Sequence, residues 1–241
     1  MAGLELMATP APVPATGTHF YRYGSPEHLE RLKIIVLEHE LYIPSLDQLN
    51  DPADGRPVLA PMSEDHLVSF LLEDFLRRHP GLTLANQVRE AMVIRYNVRR
   101  YGPEKILRML SEVLNAELNG YRVYSMSKRW DNLALWAKYA ADHSGYCLEF
   151  ANQGQLFANT KEVTYGDSVQ MDVMNRDHRG GWWFFSKREE WSNEEEVRLV
   201  LPRGLGSKVK IDPRWLTRVI LGWRTSTAGR SGDGPSDAIR R

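Results

Sequence analysis

The feature that most constrains this chain is a change of periodicity at Gly120. Upstream of it, from about residue 62, apolar side chains recur three and four apart, as in Leu67, Phe70, Leu71 and Phe75. That spacing gathers them on one stripe of a helix. Ser63 is placed to cap the first such helix, and further helices are expected over 84–100 and 103–118. Downstream the apolar residues come in short runs, over 121–127, 145–150, 162–165, 195–201 and 218–221. Short alternating runs suit a pleated strand, whose side chains point to opposite faces in turn. A helix over 131–141 separates the first two runs.

Ahead of the helical block, Phe20-Tyr21-Arg22-Tyr23 reads as a strand and Ser25-Pro26 as the start of a helix reaching Glu40. Leu41-Tyr42-Ile43 reads as a short strand, and Asn50-Asp51-Pro52 as a turn. The fold class expected is α+β: a single domain with a mixed or antiparallel sheet core and a helical insertion at about 62–118. Strand order does not follow from the pattern. Residues 1–18, with Pro10, Pro12 and Pro14, read as a disordered leader. Residues 224–241, with Ser231-Gly232-Asp233-Gly234-Pro235, read as a disordered tail, which leaves 19–223 for the domain.

Lysine plus arginine number 31 and aspartate plus glutamate 31, so the net charge is zero. There is no overall pull toward nucleic acid or anionic lipid. The single cysteine, Cys147, rules out a disulfide within the chain and sits in an apolar run that suits a core thiol. Apolar runs stay well short of the ~20 residues that span a bilayer. The expected location is cytoplasmic. His19, His28, His39, His66, His79 and His178 show no metal-ligand spacing, so no metal is expected.

Chemistry-bearing residues concentrate in two stretches. In Trp191-Ser192-Asn193-Glu194-Glu195-Glu196-Val197-Arg198, strand alternation puts Glu194, Glu196 and Arg198 on one side. Val197, Leu199 and Leu201 then face a core. The acids are either a solvated strand end paired with Lys187 or Arg188, or carboxylates held at a cleft to stabilise developing positive charge. In Tyr124-Ser125-Met126-Ser127, alternation puts Ser125 and Ser127 on one face and Tyr124 and Met126 on the other. No base stands at a spacing that would make either serine a nucleophile. Trp136 and Tyr139, one helical step apart, either pack a core or offer aromatic faces to a ligand. His143 follows near that helix end. Arg22, flanked by Tyr21 and Tyr23, is either an edge-strand arginine or a fork for phosphate or carboxylate. Gly180-Gly181-Trp182-Trp183 reads either as a turn leading into core aromatics or as a loop over a ligand, and Arg95, Arg99 and Arg100 as a solvated helix face.

Taken in order, these residues resemble the bacterial family catalogued as domain of unknown function 2971. The resemblance is carried by Tyr21-Arg22-Tyr23, Leu41 through Ser45, and Leu49-Asn50-Asp51-Pro52 with Asp54. It continues through Tyr124 to Ser127, Asn132 to Trp136, Tyr139-Ala140, His143 and Gly145, and ends at Lys187, Trp191, Glu194, Glu196 and Arg198. That family implies no reaction. A second resemblance does: Arg22, then Ser125 with Ser127, then Glu194 with Glu196, is similar to the arginine–serine–glutamate pattern of ADP-ribosyltransferases. It implies NAD as co-substrate and a protein or nucleic-acid acceptor, as in a toxin or defence effector. In that resemblance Glu196 stabilises an oxocarbenium-like transition state and Glu194 orients or deprotonates the acceptor. Ser125 or Ser127 fixes the ribose or braces Glu196. Arg22 and Tyr23 belong to the cofactor site, Arg22 on the pyrophosphate, and Trp136 or Tyr139 stacks on nicotinamide. Two other readings stand beside it. One is a non-catalytic ligand-binding or protein-interaction module. The other is a metal-dependent nuclease or hydrolase using Asp51, Asp54 and the glutamates.

Overall fold

The computed structural model describes residues 15–166, 170–171 and 181–225, the pair 170–171 by its backbone. The chain opens with β1 (His19–Gly24), a short α1 (Leu29–Lys33) continued by a π turn, and β2 (Glu40–Tyr42). After β3 (Val58–Leu59) come the three long helices α2 (Glu64–Arg78), α3 (Leu84–Tyr101) and α4 (Pro103–Leu118). Ser63 and Thr83 cap α2 and α3 through their hydroxyls, each satisfying an orphan N–H of the first turn. Then follow β4 (Arg122–Ser127), α5 (Leu133–Tyr139), β5 (Tyr146–Ala151), α6 (Gly154–Phe157), β6 (Lys161–Glu162), β7 (Thr164–Gly166) and β8 (Gln170–Met171). The last elements are β9 (Ser186–Arg188), β10 (Glu196–Leu201), β11 (Lys208–Lys210) and β12 (Leu216–Leu221). The α+β class and the helical insertion are as the periodicity predicts.

The body is a six-stranded sheet in the order β12-β5-β1-β4-β10-β6, antiparallel throughout. Of the accessory pairs, β2–β11 is antiparallel, while β3–β8 and β7–β9 are parallel. One face carries the main core, including Phe20, Tyr124, Met126, Leu148, Phe150, Val197 and Leu199. Phe20, Leu148, Phe150 and Leu199 are all but fully buried, and burial of such a side chain stabilises by about 1.5–3 kcal/mol. The alternation read for Val197, Leu199 and Leu201 is the one observed. On the other face α5 packs Leu135 and Trp136 against Tyr23 and Cys147. Trp182 through Phe185 form a further cluster with Leu46, Leu118 and Val123.

The sheet is not evenly joined. β1 and β5 pair along six residues each, and so do β4 and β10. Between β1 and β4 the register holds only Tyr21 opposite Ser127. The sheet therefore consists of two half-sheets, β12-β5-β1 and β4-β10-β6, that part beyond one bridge. Across the gap the Arg22 guanidinium donates through Nη1 to the Ser125 carbonyl at 2.6 Å, supplying a buried backbone acceptor that no strand partner meets.

Hydrogen bonding carries the folded unit past 19–223. The Ala15 N–H bonds the Thr160 carbonyl, and the Arg224 N–H bonds that of His143. Thr16 reaches Glu162, and Thr225 reaches Gly145. The rest of the expected leader and tail, and Gly180 and His178, lie outside the described residues.

Candidate functional site

Where β1 and β4 part, a cleft of about 980 Å³ opens. Its walls include Arg22, Tyr23, Ser125 and Ser127 from the two central strands, Tyr139 from α5, and Glu194 and Glu196 from the approach to β10. Strand pairing explains how they meet. Glu196 is opposite Ser127 and Arg198 opposite Ser125, so these four share one face of the sheet. Arg22 is opposite Leu148 and belongs to the other face. It joins them in one cleft only because the sheet is split beside it.

The cleft wall holds a buried ionic cluster. Arg198 has no exposed surface. It donates through Nε to Glu196 Oε1 at 2.6 Å and through Nη2 to Glu196 Oε2 at 3.0 Å. The same Nη2 reaches Asp54 Oδ2 at 2.8 Å, and Nη1 reaches the Phe184 carbonyl at 2.8 Å. The Lys187 ammonium lies 2.7 Å from Glu194 Oε2, 2.8 Å from Glu196 Oε2 and 3.7 Å from Asp54 Oδ2. Burial alone would raise the Glu196 carboxyl, but Arg198 and Lys187 outweigh it and hold the pKa at about 2. Asp54 goes the other way. Burial dominates over the Arg198 charge and raises its pKa. Its Oδ1 is buried without a hydrogen-bond partner among the described residues, although the side chain lines the cleft. For Lys187, burial works against the charged form, yet Glu196 and Asp54 prevail and its pKa is raised.

Two tyrosine hydroxyls bond to the glutamates of this cluster. Glu194 Oε1 accepts from the Tyr139 hydroxyl at 2.9 Å and from Lys138 Nζ at 3.2 Å. The backbone N–H of Glu196 donates to the Tyr165 hydroxyl at 2.7 Å. Burial raises the pKa of both tyrosines, reinforced for Tyr139 by the Glu194 charge. Both stay neutral near pH 7.

The structure reassigns several expected roles. Strand β10 begins at Glu196, so alternation does not place Glu194. Glu194 ends a 3-10 turn over Glu189–Glu194, and Glu195 adopts φ 44°, in the left-handed region. That corner swings Glu194 back beside Glu196. The Ser127 hydroxyl donates to the Glu194 carbonyl at 2.9 Å and accepts from the Arg129 N–H at 3.1 Å, so it fastens the corner. Tyr23 likewise donates to the Arg129 carbonyl and accepts from the Asn132 N–H. Trp136 is a correction. It is only 4 % exposed, stands outside the cleft, stacks on His143 and donates from Nε1 to the Trp130 carbonyl. One helical step on, Tyr139 takes the cleft position. Arg95 and Arg99 pair with Asp65 and Glu64 on the helical insertion, away from the site. Cys147 is a fully buried thiol whose pKa burial pushes up.

Residue reasoning missed Lys138 as a cleft residue and Tyr165 as the partner of the Glu196 N–H. Lys138 adjoins Tyr139 in sequence, and its charge beside an inward-facing tyrosine was the available signal. Tyr165 gives none, because its segment, 31 residues from Glu196 in sequence, is brought there by pairing with β9 and by the β6–β10 pairing just before it. Among the described residues no cluster of three or more His, Cys, Asp or Glu is placed to hold a metal ion. No helix among them is long and apolar enough to cross a membrane. Comparison of the chain with protein-family models, curated proteins and solved structures gave no match in any of the three.

Proposed function

We propose that the split-sheet cleft binds NAD and that the chain is an ADP-ribosyltransferase-like enzyme. The observation that carries this reading is the meeting of Arg22, Ser125 and the Glu194–Glu196 pair in one cleft, although they come from three strands, the turn before β10 and both faces of the sheet. The cleft volume suits a drug-to-cofactor-sized ligand. Arg22 uses one edge of its guanidinium on Ser125 and has no other hydrogen-bond partner among the described residues, which leaves donors for a diphosphate. In the transfer, the C1′–N bond of the nicotinamide ribose breaks and nicotinamide leaves with the electron pair. The acceptor's lone pair forms the new bond to C1′, and the acceptor's proton is released to a base. We assign that base, and the charge facing C1′, to Glu194. Both oxygens of Glu196 lie against Arg198 and Lys187, so it fixes those cations. Glu194 Oε1 meets the Lys138 ammonium, whose side chain is 37 % exposed.

One observation favours a second reading, a non-catalytic ligand-binding module. Both oxygens of Glu194, like those of Glu196, are already hydrogen-bonded. The two readings separate on nicotinamide release. The wild-type chain, incubated with nicotinamide-labelled NAD and protein, DNA or RNA acceptors, is expected to release label. Glu194→Gln, with its melting temperature checked, is expected to lose about 100-fold or more of that rate. NAD binding without release in wild type selects the module. Neither binding nor release removes NAD from the account.

A further inference from the structure

On the cleft wall the Lys138 ammonium lies 3.6 Å from the centroid of the Trp191 ring and 4.7 Å from that of Tyr139. It donates to Glu194 Oε1 at 3.2 Å, the oxygen that also accepts from the Tyr139 hydroxyl. Two aromatic faces and a carboxylate around one positive charge form the arrangement that recognises organic cations. All four residues line the cleft.

The carboxylate wall of this cage is more buried than its occupant. Glu194 has a side chain 7 % exposed and is held on its other oxygen by Lys187. The turn that carries Trp191 is tied down at both ends of its last step. Asn132 Nδ2 donates to the Asn193 carbonyl at 2.6 Å, and Ser127 donates to that of Glu194 at 2.9 Å. Lys138, by contrast, has a 37 % exposed side chain, and a lysine stem is flexible. The second cation near Trp191, Lys187, is 5.4 Å from the ring and locked among Asp54, Glu194 and Glu196.

We propose that Trp191, Tyr139 and Glu194 form a cation subsite of the cleft, in which the Lys138 ammonium is an intramolecular stand-in for a planar or quaternary organic cation. An incoming pyridinium or methylated ammonium replaces one positive charge by another, so Glu194 remains paired and no buried carboxylate is left uncompensated. A hard metal ion fits poorly, because such ions take six or more oxygen donors and the cage offers one carboxylate oxygen. The subsite deepens the NAD reading, and only the identity of the natural cation, the oxidised nicotinamide ring, rests on that reading.

The test compares two probes of nearly equal shape, 1-methylnicotinamide, a cation, and nicotinamide, which is neutral. Each is titrated into the full chain as wild type, Lys138→Met, Lys138→Arg, and Lys138→Met with Trp191→Ala, following heat and tryptophan fluorescence. Lys138→Met is expected to bind 1-methylnicotinamide at least about tenfold more tightly than wild type. Nicotinamide should be indifferent to the change. Lys138→Arg keeps the stand-in charge and should gain nothing, and removal of Trp191 should cancel the gain. A Lys138→Met protein that is folded by its melting curve, yet binds both probes alike or neither better than wild type, overturns the subsite. The two proposals fail separately. If NAD does not bind wild type while 1-methylnicotinamide titrates into Lys138→Met, the subsite stands and the NAD reading falls. If NAD binds and the probes do not distinguish the variant, the subsite falls alone.

Discussion

Arg198 shows how a single residue organises the site. Every edge of its guanidinium meets an acceptor, on Glu196, Asp54 and the Phe184 carbonyl. Such a cluster is not by itself a source of stability, since burying charges is costly, but removing one partner leaves the others uncompensated. Arg198→Met is therefore expected to destabilise the fold by about 3–5 kcal/mol, read as a lowered urea midpoint. Glu196 adds a pH dependence of definite sign. Its carboxyl is depressed from an ordinary 4.5 to about 2 in the fold. Its stabilising contribution, on the order of 3 kcal/mol, is complete above pH 4.5 and disappears as the pH falls toward 2. Asp54, shifted upward by burial, acts with the opposite sign and blunts the acid limb. Urea midpoints should fall between pH 4.5 and 2 in wild type and much less in Glu196→Gln. Equal slopes in the two proteins would refute the assignment. At this scale the sequence showed the acids, Arg198 and a lysine partner in Lys187. Asp54 entered only as an acid grouped with the glutamates, and its bond to Arg198 was not legible, because that contact spans 144 residues and no local periodicity reports on such a distance.

Among the elements, helices and strands were legible wherever periodicity and caps agreed. Ser63 and the apolar stripe behind it forecast α2, and the alternation of Val197, Leu199 and Leu201 forecast β10. Corners were not legible. The three-glutamate run reads as strand by alternation, but a left-handed Glu195 breaks it, and that break brings Glu194 to the cleft. Aromatic spacing on α5 is likewise ambiguous. Trp136 and Tyr139 are one step apart, and only packing decides that Trp136 turns into the core while Tyr139 faces the acids. The corner after α5 is a close approach of three segments. Gly145 donates to the Ala140 carbonyl and accepts from the Gly222 N–H, and a Cβ at Gly145 would collide with the Gly24 carbonyl oxygen. Gly145→Ala is expected to cost about 1–3 kcal/mol and lower the melting temperature. A melting curve unchanged from wild type would show that this corner yields without strain.

For the whole molecule, the α+β class was readable and the strand order was not, because pairing across a sheet is set by contacts remote in sequence. Nothing in the Arg22 or Ser125 neighbourhood announces that β1 and β4 meet at one bridge and then separate. That separation makes the cleft and brings side chains from both faces of the sheet into it. Arg22, Ser125, Ser127, Glu194 and Glu196 all line that cleft. We propose this split as a NAD site with Arg22 as its anion contact. The most direct measurement is calorimetric titration of NAD into wild type, Arg22→Ala and Arg22→Lys, with melting temperatures taken alongside. Charge-assisted contacts to a diphosphate contribute roughly 1.5–3 kcal/mol, so one saturable site is predicted in wild type, weakened about tenfold or more in Arg22→Ala and less in Arg22→Lys. Wild-type protein that takes up no NAD, or equal affinity in a folded Arg22→Ala, would contradict it.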